Sequence, residues 1–99
     1  MKRLLMALVV LTGLIGAGGA VWAQDLNKGM EAYKSGDYVT ALKEWRPLAD
    51  QGNADAQRSL GYLYYFGEGV TKDYAEALKW YRKAAEQGDT RAQFGLGFL

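Results

Sequence analysis

The chain contains no cysteine and no histidine, and its 99 residues include a single proline. Disulfide frameworks, Cys/His zinc sites, and thiol or histidine catalysis are therefore excluded, and with them the common catalytic triads. Charge of one sign is equally lacking. Twelve Lys and Arg face eleven Asp and Glu, and without Lys2 and Arg3 the count becomes ten against eleven. No basic footprint for nucleic acid survives that balance. The scarcity of proline leaves the backbone free to form helices, with Pro47 the one internal conflict.

What is present begins with an export pattern. A basic Lys2-Arg3 pair precedes an apolar run from Leu4 to about Ile15, and Val21-Trp22-Ala23 places small residues at −3 and −1 of a cut before Gln24. Residues 1–23 are expected to be a signal peptide, cleaved between Ala23 and Gln24, so that the protein is exported to the periplasm or beyond. The alternative is an uncleaved anchor, since the 20 residues from Leu4 to Ala23 would just span a bilayer. Glycines at 13, 16, 18 and 19 favour cleavage, because they loosen the half nearest the cut. The 76 residues left bury only about 60% of their unfolded surface.

A duplication fills that remainder. Shifting the chain by 36 positions aligns residues 37–63 with residues 73–99, and 14 of the 27 pairs are identical. Chance would give about two. Each period holds two helical patterns. Positions 56, 60, 63 and 64 follow one helical face, and Tyr74, Ala77, Leu78, Tyr81 and Ala85 form another. Asn53, Asp73 and Asp89 are placed to cap the helices they precede, and Gly52 and Gly88 to end the preceding ones. An earlier helix is expected over Leu26 to Ser35, capped by Asp25, with Met30, Ala32 and Tyr33 apolar. Pro47 is expected to kink its helix near Lys43 without ending it, because Leu48 and Ala49 hold the register of Ala84 and Ala85.

Short connections at Gly52-Asn53 and Gly88-Asp89 force antiparallel neighbours, whereas residues 67–72 form a longer link within a repeat. The fold class that follows is all-α, an α/α solenoid of antiparallel helix pairs. The expected divisions are a signal segment at 1–23, a tetratricopeptide-like unit at 24–52, a full repeat at 53–88, and the first helix of a further, truncated repeat at 89–99. That last helix should extend to about residue 102 by the period, and its end is apolar where a terminal repeat normally carries a polar face. Either more repeats follow or another chain, including a second copy, covers the end.

The run Ala54-Asp55-Ala56-Gln57, Leu60-Gly61-Tyr62-Leu63-Tyr64, Gly67-Glu68-Gly69-Val70, Lys72-Asp73, Ala77-Leu78-Lys79-Trp80-Tyr81 and Lys83 to Gly88 resembles the Sel-one-like repeat (SLR), a relative of the tetratricopeptide repeat. The similarity covers residues 26–99. Gly29, Gly36, Asp37-Tyr38, Ala41 and Trp45 depart from it, with the shorter spacing of a plain tetratricopeptide unit. The resemblance implies a protein–protein interaction scaffold, often exported in bacteria, with no chemistry of its own.

A search for chemistry from the residues agrees. Ser35 and Ser59 are the only serines, and neither begins an S-x-x-K motif. The second reading, binding or hydrolysis of a cell-wall-derived or β-lactam ligand as in some cysteine-rich relatives, lacks both cysteine and that motif. Gly67-Glu68-Gly69 has no P-loop ending, and Asp50, Asn53 and Asp55 miss the calcium-loop order. No cofactor, metal site or catalytic residue is expected.

For a protein partner, the face opposite Ala56 carries Arg58, Tyr62 and Tyr65, and the 36-residue offset adds Phe94 and Phe98. These five are expected to form an aromatic strip with a single positive charge, a composition favoured at interfaces. The alternative is that the strip packs against the first helix of a neighbouring repeat. Trp45 and Trp80 are expected to pack in the interior.

Overall fold

The computed structural model describes residues 26–99 as five helices, with no strand among the described residues. The signal segment, the cut after Ala23 and the Asp25 cap lie outside them. Helix α1 covers residues 26–34. It is followed by α2 (Tyr38–Asp50), α3 (Ala54–Phe66), α4 (Tyr74–Glu86) and α5 (Thr90–Leu96). Helix α3 packs against both α2 and α4, and α4 packs in turn against α5.

Capping follows the residues that can supply it. The side chain of Asn53 accepts from the Ala56 amide at 2.9 Å, and that of Asp89 from the Ala92 amide at 3.0 Å. Asp73 accepts from both Ala75 and Glu76, satisfying two of the free donors at the start of α4. Asp37 does the same for Thr40 at the start of α2. Pro47 does not stop α2, which runs on to Asp50. Pro47 and Lys43 are both exposed, so the Lys43 carbonyl that loses its amide partner can turn to water.

The duplication visible in sequence is also a duplication of bonds. Gln57 Nε2 donates to the Ala49 carbonyl at 3.1 Å, and 36 residues later Gln93 Nε2 donates to the Ala85 carbonyl at 3.3 Å. Gln57 is the buried polar side chain of the core, and it also accepts from Gln87 Nε2 at 2.8 Å. Both its amide ends are thereby satisfied, as burial requires.

Two apolar clusters form the core. Ala41, Trp45, Leu48, Leu60, Leu63 and Trp80 anchor the first, and Ala77, Tyr81, Ala84 and Ala92 the second. The buried stripe of α4 differs from the expected one. Ala77, Trp80, Tyr81 and Ala84 are buried, whereas Tyr74 at the helix start is 53% exposed. Helix α4 is enclosed by α3 and α5 and also sends Trp80 into the α2 cluster, so its apolar face is wider than a single stripe and turned toward Trp80. Both tryptophans pack inside as expected, and Lys79, Lys83 and Arg46 lie over the Trp80 ring at 4.9, 5.4 and 5.6 Å.

Glycines let the two helices of a unit approach closely. A Cβ on Gly61 would come within 2.9 Å of the Tyr81 ring, and Gly29 stands in the same relation to Trp45. Trp45 and Tyr81 are 36 residues apart, so each first helix has a glycine notch filled by the aromatic ring of its second helix.

Candidate functional site

The first helices line up side by side, and between them opens a groove of about 650 Å³. Helix α1 contributes Met30 and Tyr33, and α3 contributes Arg58, Ser59, Tyr62, Tyr65 and Phe66. The far wall is Arg91, Phe94, Gly95 and Phe98, from α5 and the turn after it. Trp45 and Tyr81, the rings that fill the glycine notches, reach the groove from the second helices.

All five residues singled out from the sequence, Arg58, Tyr62, Tyr65, Phe94 and Phe98, meet in this groove. They do not form one continuous strip. On α1, α3 and the start of α4, rings stand in succession: Tyr33 to Tyr62 at 5.9 Å, Tyr62 to Phe66 at 4.5 Å, Phe66 to Tyr65 at 4.8 Å and Tyr65 to Tyr74 at 5.3 Å. Phe94 and Phe98 pair with each other at 5.1 Å across the groove. The Tyr33–Tyr62 contact joins the first helices of adjacent repeats, while Phe94 and Phe98 stay 72% and 66% exposed. The strip is thus packed at the Tyr33–Tyr62 end and exposed at Phe94 and Phe98.

Arg58 is not the free positive charge expected of it. Its Nη1 donates to Asp55 at 3.0 Å and to Asp89 at 2.7 Å, and the Asp89 carboxylate is also the cap of α5. The guanidinium therefore ties α3 to the start of the next repeat. Arg91 is the groove cation that pairs with no described acid.

Residues that the sequence reading did not single out complete the site. Met30 and Tyr33 occupy on α1 the places of Tyr62 and Tyr65 on α3, at an offset of 32 and not 36, because the first unit has the shorter spacing. Counting from the paired glycines Gly29 and Gly61 would have found them. Tyr33 also donates its hydroxyl to Glu68 Oε1 at 3.1 Å. Burial, together with its hydrogen bonds to Tyr62 and Glu68, raises the Tyr33 phenol above the usual range. Tyr38 is raised chiefly by its hydrogen bond to Glu68.

The residues weighed for other chemistry have structural partners. Asp50 pairs with Arg46 at 3.8 Å, Asn53 caps α3 and Asp55 pairs with Arg58. The Ser35 hydroxyl donates to the Ala32 carbonyl at 2.9 Å.

With this geometry in place, comparison with known proteins identifies the repeat. The family model of the Sel1 repeat matches residues 54–89, which run from the start of α3 to the cap of α5. That segment, α3 with α4 and the turn to α5, is similar to a Sel1 repeat. An uncharacterized protein of Neisseria meningitidis serogroup B is 43% identical over 49 residues, which cover 50% of this chain and 10% of the relative. The chain thus spans about a tenth of that relative's length. Sel1 repeats generally mediate protein–protein interaction, and the all-helical architecture agrees with a tetratricopeptide-like solenoid. No helix among the described residues is long and apolar enough to cross a membrane.

Proposed function

We propose that this chain is a Sel1-repeat protein, an exported, non-enzymatic scaffold or adaptor of the bacterial cell envelope, and that its aromatic groove seats a segment of a partner protein. The observation that carries the reading is the open far wall of the groove. Phe94 and Phe98 are large, apolar and mostly exposed, and they face the ring-lined wall of α1 and α3. Large rings that remain solvated until a partner arrives are the usual anchors of an interface. Export is supported by the Lys2-Arg3 pair, the apolar run after it and Val21-Trp22-Ala23.

The test is affinity recovery from an envelope extract with the wild-type chain and with Tyr62→Ala combined with Phe94→Ala. Both side chains are substantially exposed, so the double variant should keep its helical circular dichroism while losing the partner. Arg58 is unsuitable for this test, because its removal also unties Asp89. Undiminished recovery by the folded double variant would remove the groove from the account. The export part is tested separately, by mass spectrometry of the mature N-terminus: a chain starting at Gln24 supports it, and an intact Met1 contradicts it.

A further inference from the structure

The charged side chains that line the groove are of one sign. Arg58 and Arg91 belong to the lining, and no Asp or Glu does. The two acids on Arg58 lie outside it: Asp89 is 9% exposed and caps α5, and Asp55 reaches Arg58 from the start of α3. Arg91 is exposed and pairs with no described acid. Even Arg58 is not used up. Both of its carboxylate bonds leave from Nη1, and a guanidinium carries five N–H donors.

This positive charge is gathered at one end. The 2.7 Å bond from Arg58 to Asp89 brings the start of α5 beside the first half of α3. Farther along, Gly61 and Gly95 both stand over the Tyr81 ring, where a Cβ would come within 2.9 and 3.2 Å of it. The two helices therefore run side by side in the same direction. Arg58 and Arg91 sit toward their starts, and Tyr62, Tyr65, Phe66 and Phe98 follow toward and beyond their ends. The groove has a cationic end and an aromatic end.

That arrangement specifies an occupant. The two oxygens of a carboxylate match the planar fork of a guanidinium, and the pair strengthens as apolar surface closes around it. A cation at the same place would meet two like charges. The exposed rings of Phe94 and Phe98 continue from Arg91 along the same wall, ready to hold an aromatic or large apolar neighbour.

We infer that the groove recognises an acidic side chain, Asp or Glu, carried by the partner segment two or three residues away from an aromatic one. This rests on the groove reading proposed above and adds the chemistry of its occupant. The carboxylate lies on Arg91 at the cationic end, and the ring lies between Tyr62 and Phe66 on one wall and Phe94 and Phe98 on the other. The spacing follows from the helix. Positions four to seven residues beyond Arg91 lie about 6–10 Å along the axis, which an extended segment covers in about two or three residues.

The test uses the ¹⁵N-labelled protein and three probe peptides, Ac-Glu-Ala-Ala-Phe-NH₂ and its versions with Gln or Lys in place of Glu, titrated by NMR. The Glu peptide should shift the Arg91 Nε–H and the amides of Tyr62 and Phe94, and bind about threefold tighter than the Gln peptide, with the Lys peptide weakest. Arg91→Gln removes an exposed charge with no described partner, so it should keep the fold and abolish the Glu preference. Tyr62→Ala should weaken all three peptides. Equal binding of the Glu and Gln peptides in the groove would overturn the inference and leave the groove reading standing. A Glu preference that survives Arg91→Gln, or no shift at Arg91, Tyr62 and Phe94 with any peptide, would also overturn it. The recovery experiment on Tyr62 and Phe94 judges the groove independently.

Discussion

The Arg58 guanidinium holds the Asp89 carboxylate at 2.7 Å, joining a first helix to the cap of the next one across 31 residues. Asp89 is only 9% exposed, so breaking this pair strands a nearly buried charge. Arg58→Ala is expected to cost about 1.5–3 kcal/mol, the range for hydrogen bonds to charged groups. Asp55→Asn removes the partner that is 63% exposed and should cost less than about 0.5 kcal/mol. Urea unfolding of the two variants checks the contrast. Equal losses would mean that Asp89 is no brace.

The glycine notch predicts the next result. Gly61→Ala places a methyl group within 2.9 Å of the buried Tyr81 ring, which would have to shift to admit it. Overpacking of this kind costs about 1–3 kcal/mol, which exceeds the roughly 1 kcal/mol that alanine gains over glycine in a helix. Thermal unfolding should therefore fall. A variant at least as stable as the wild type would show that the two helices can separate freely.

Asp73 caps α4 with two amide acceptor contacts, to Ala75 at 3.0 Å and Glu76 at 3.1 Å. Asp73→Ala should cost about 1 kcal/mol, whereas Asp73→Ser should recover most of it. Chemical denaturation of the two variants measures the difference.

The repeat itself was legible because 36-residue identity and helix punctuation are local signals. Asn53, Asp73, Asp89, Gly52 and Gly88 all do what their residue types suggest, and Gly52 and Gly88 adopt φ of 99° and 91°. The groove residues were legible for a related reason, since stacked repeats bring equivalent positions together. What sequence could not show were pairings chosen by the fold. Arg58 reads as a free charge until Asp89 is brought beside it, and Glu68 reads as a turn residue until Tyr33, 35 positions away, donates to it. The face of α4 was misjudged at Tyr74, which is exposed, because a helix enclosed by neighbours on several sides has no single apolar stripe.

Alkaline pH offers a further test. Burial pushes the Tyr81 phenol up from 10.0 to about 12. A phenol raised on folding is kept neutral by the folded state, so its contribution is intact below pH 10 and is lost as pH rises from 10 through about 12. Stability should decline over that window, and Tyr81→Phe, which keeps the ring and removes the ionisation, should flatten the decline. Thermal melts between pH 8 and about 12 read it, and identical slopes in both proteins would contradict the burial of this hydroxyl.

The central claim is that the aromatic groove seats a partner segment, and site-specific photocrosslinking tests it most directly. A benzophenone side chain at Phe94 lies inside the groove, and one at Lys83 lies outside it beside Trp80. In cells expressing the protein, the account predicts a discrete adduct from position 94 that disappears with Tyr62→Ala, and none from position 83. Adducts of equal yield from both positions, or an adduct at 94 indifferent to Tyr62→Ala, would contradict it.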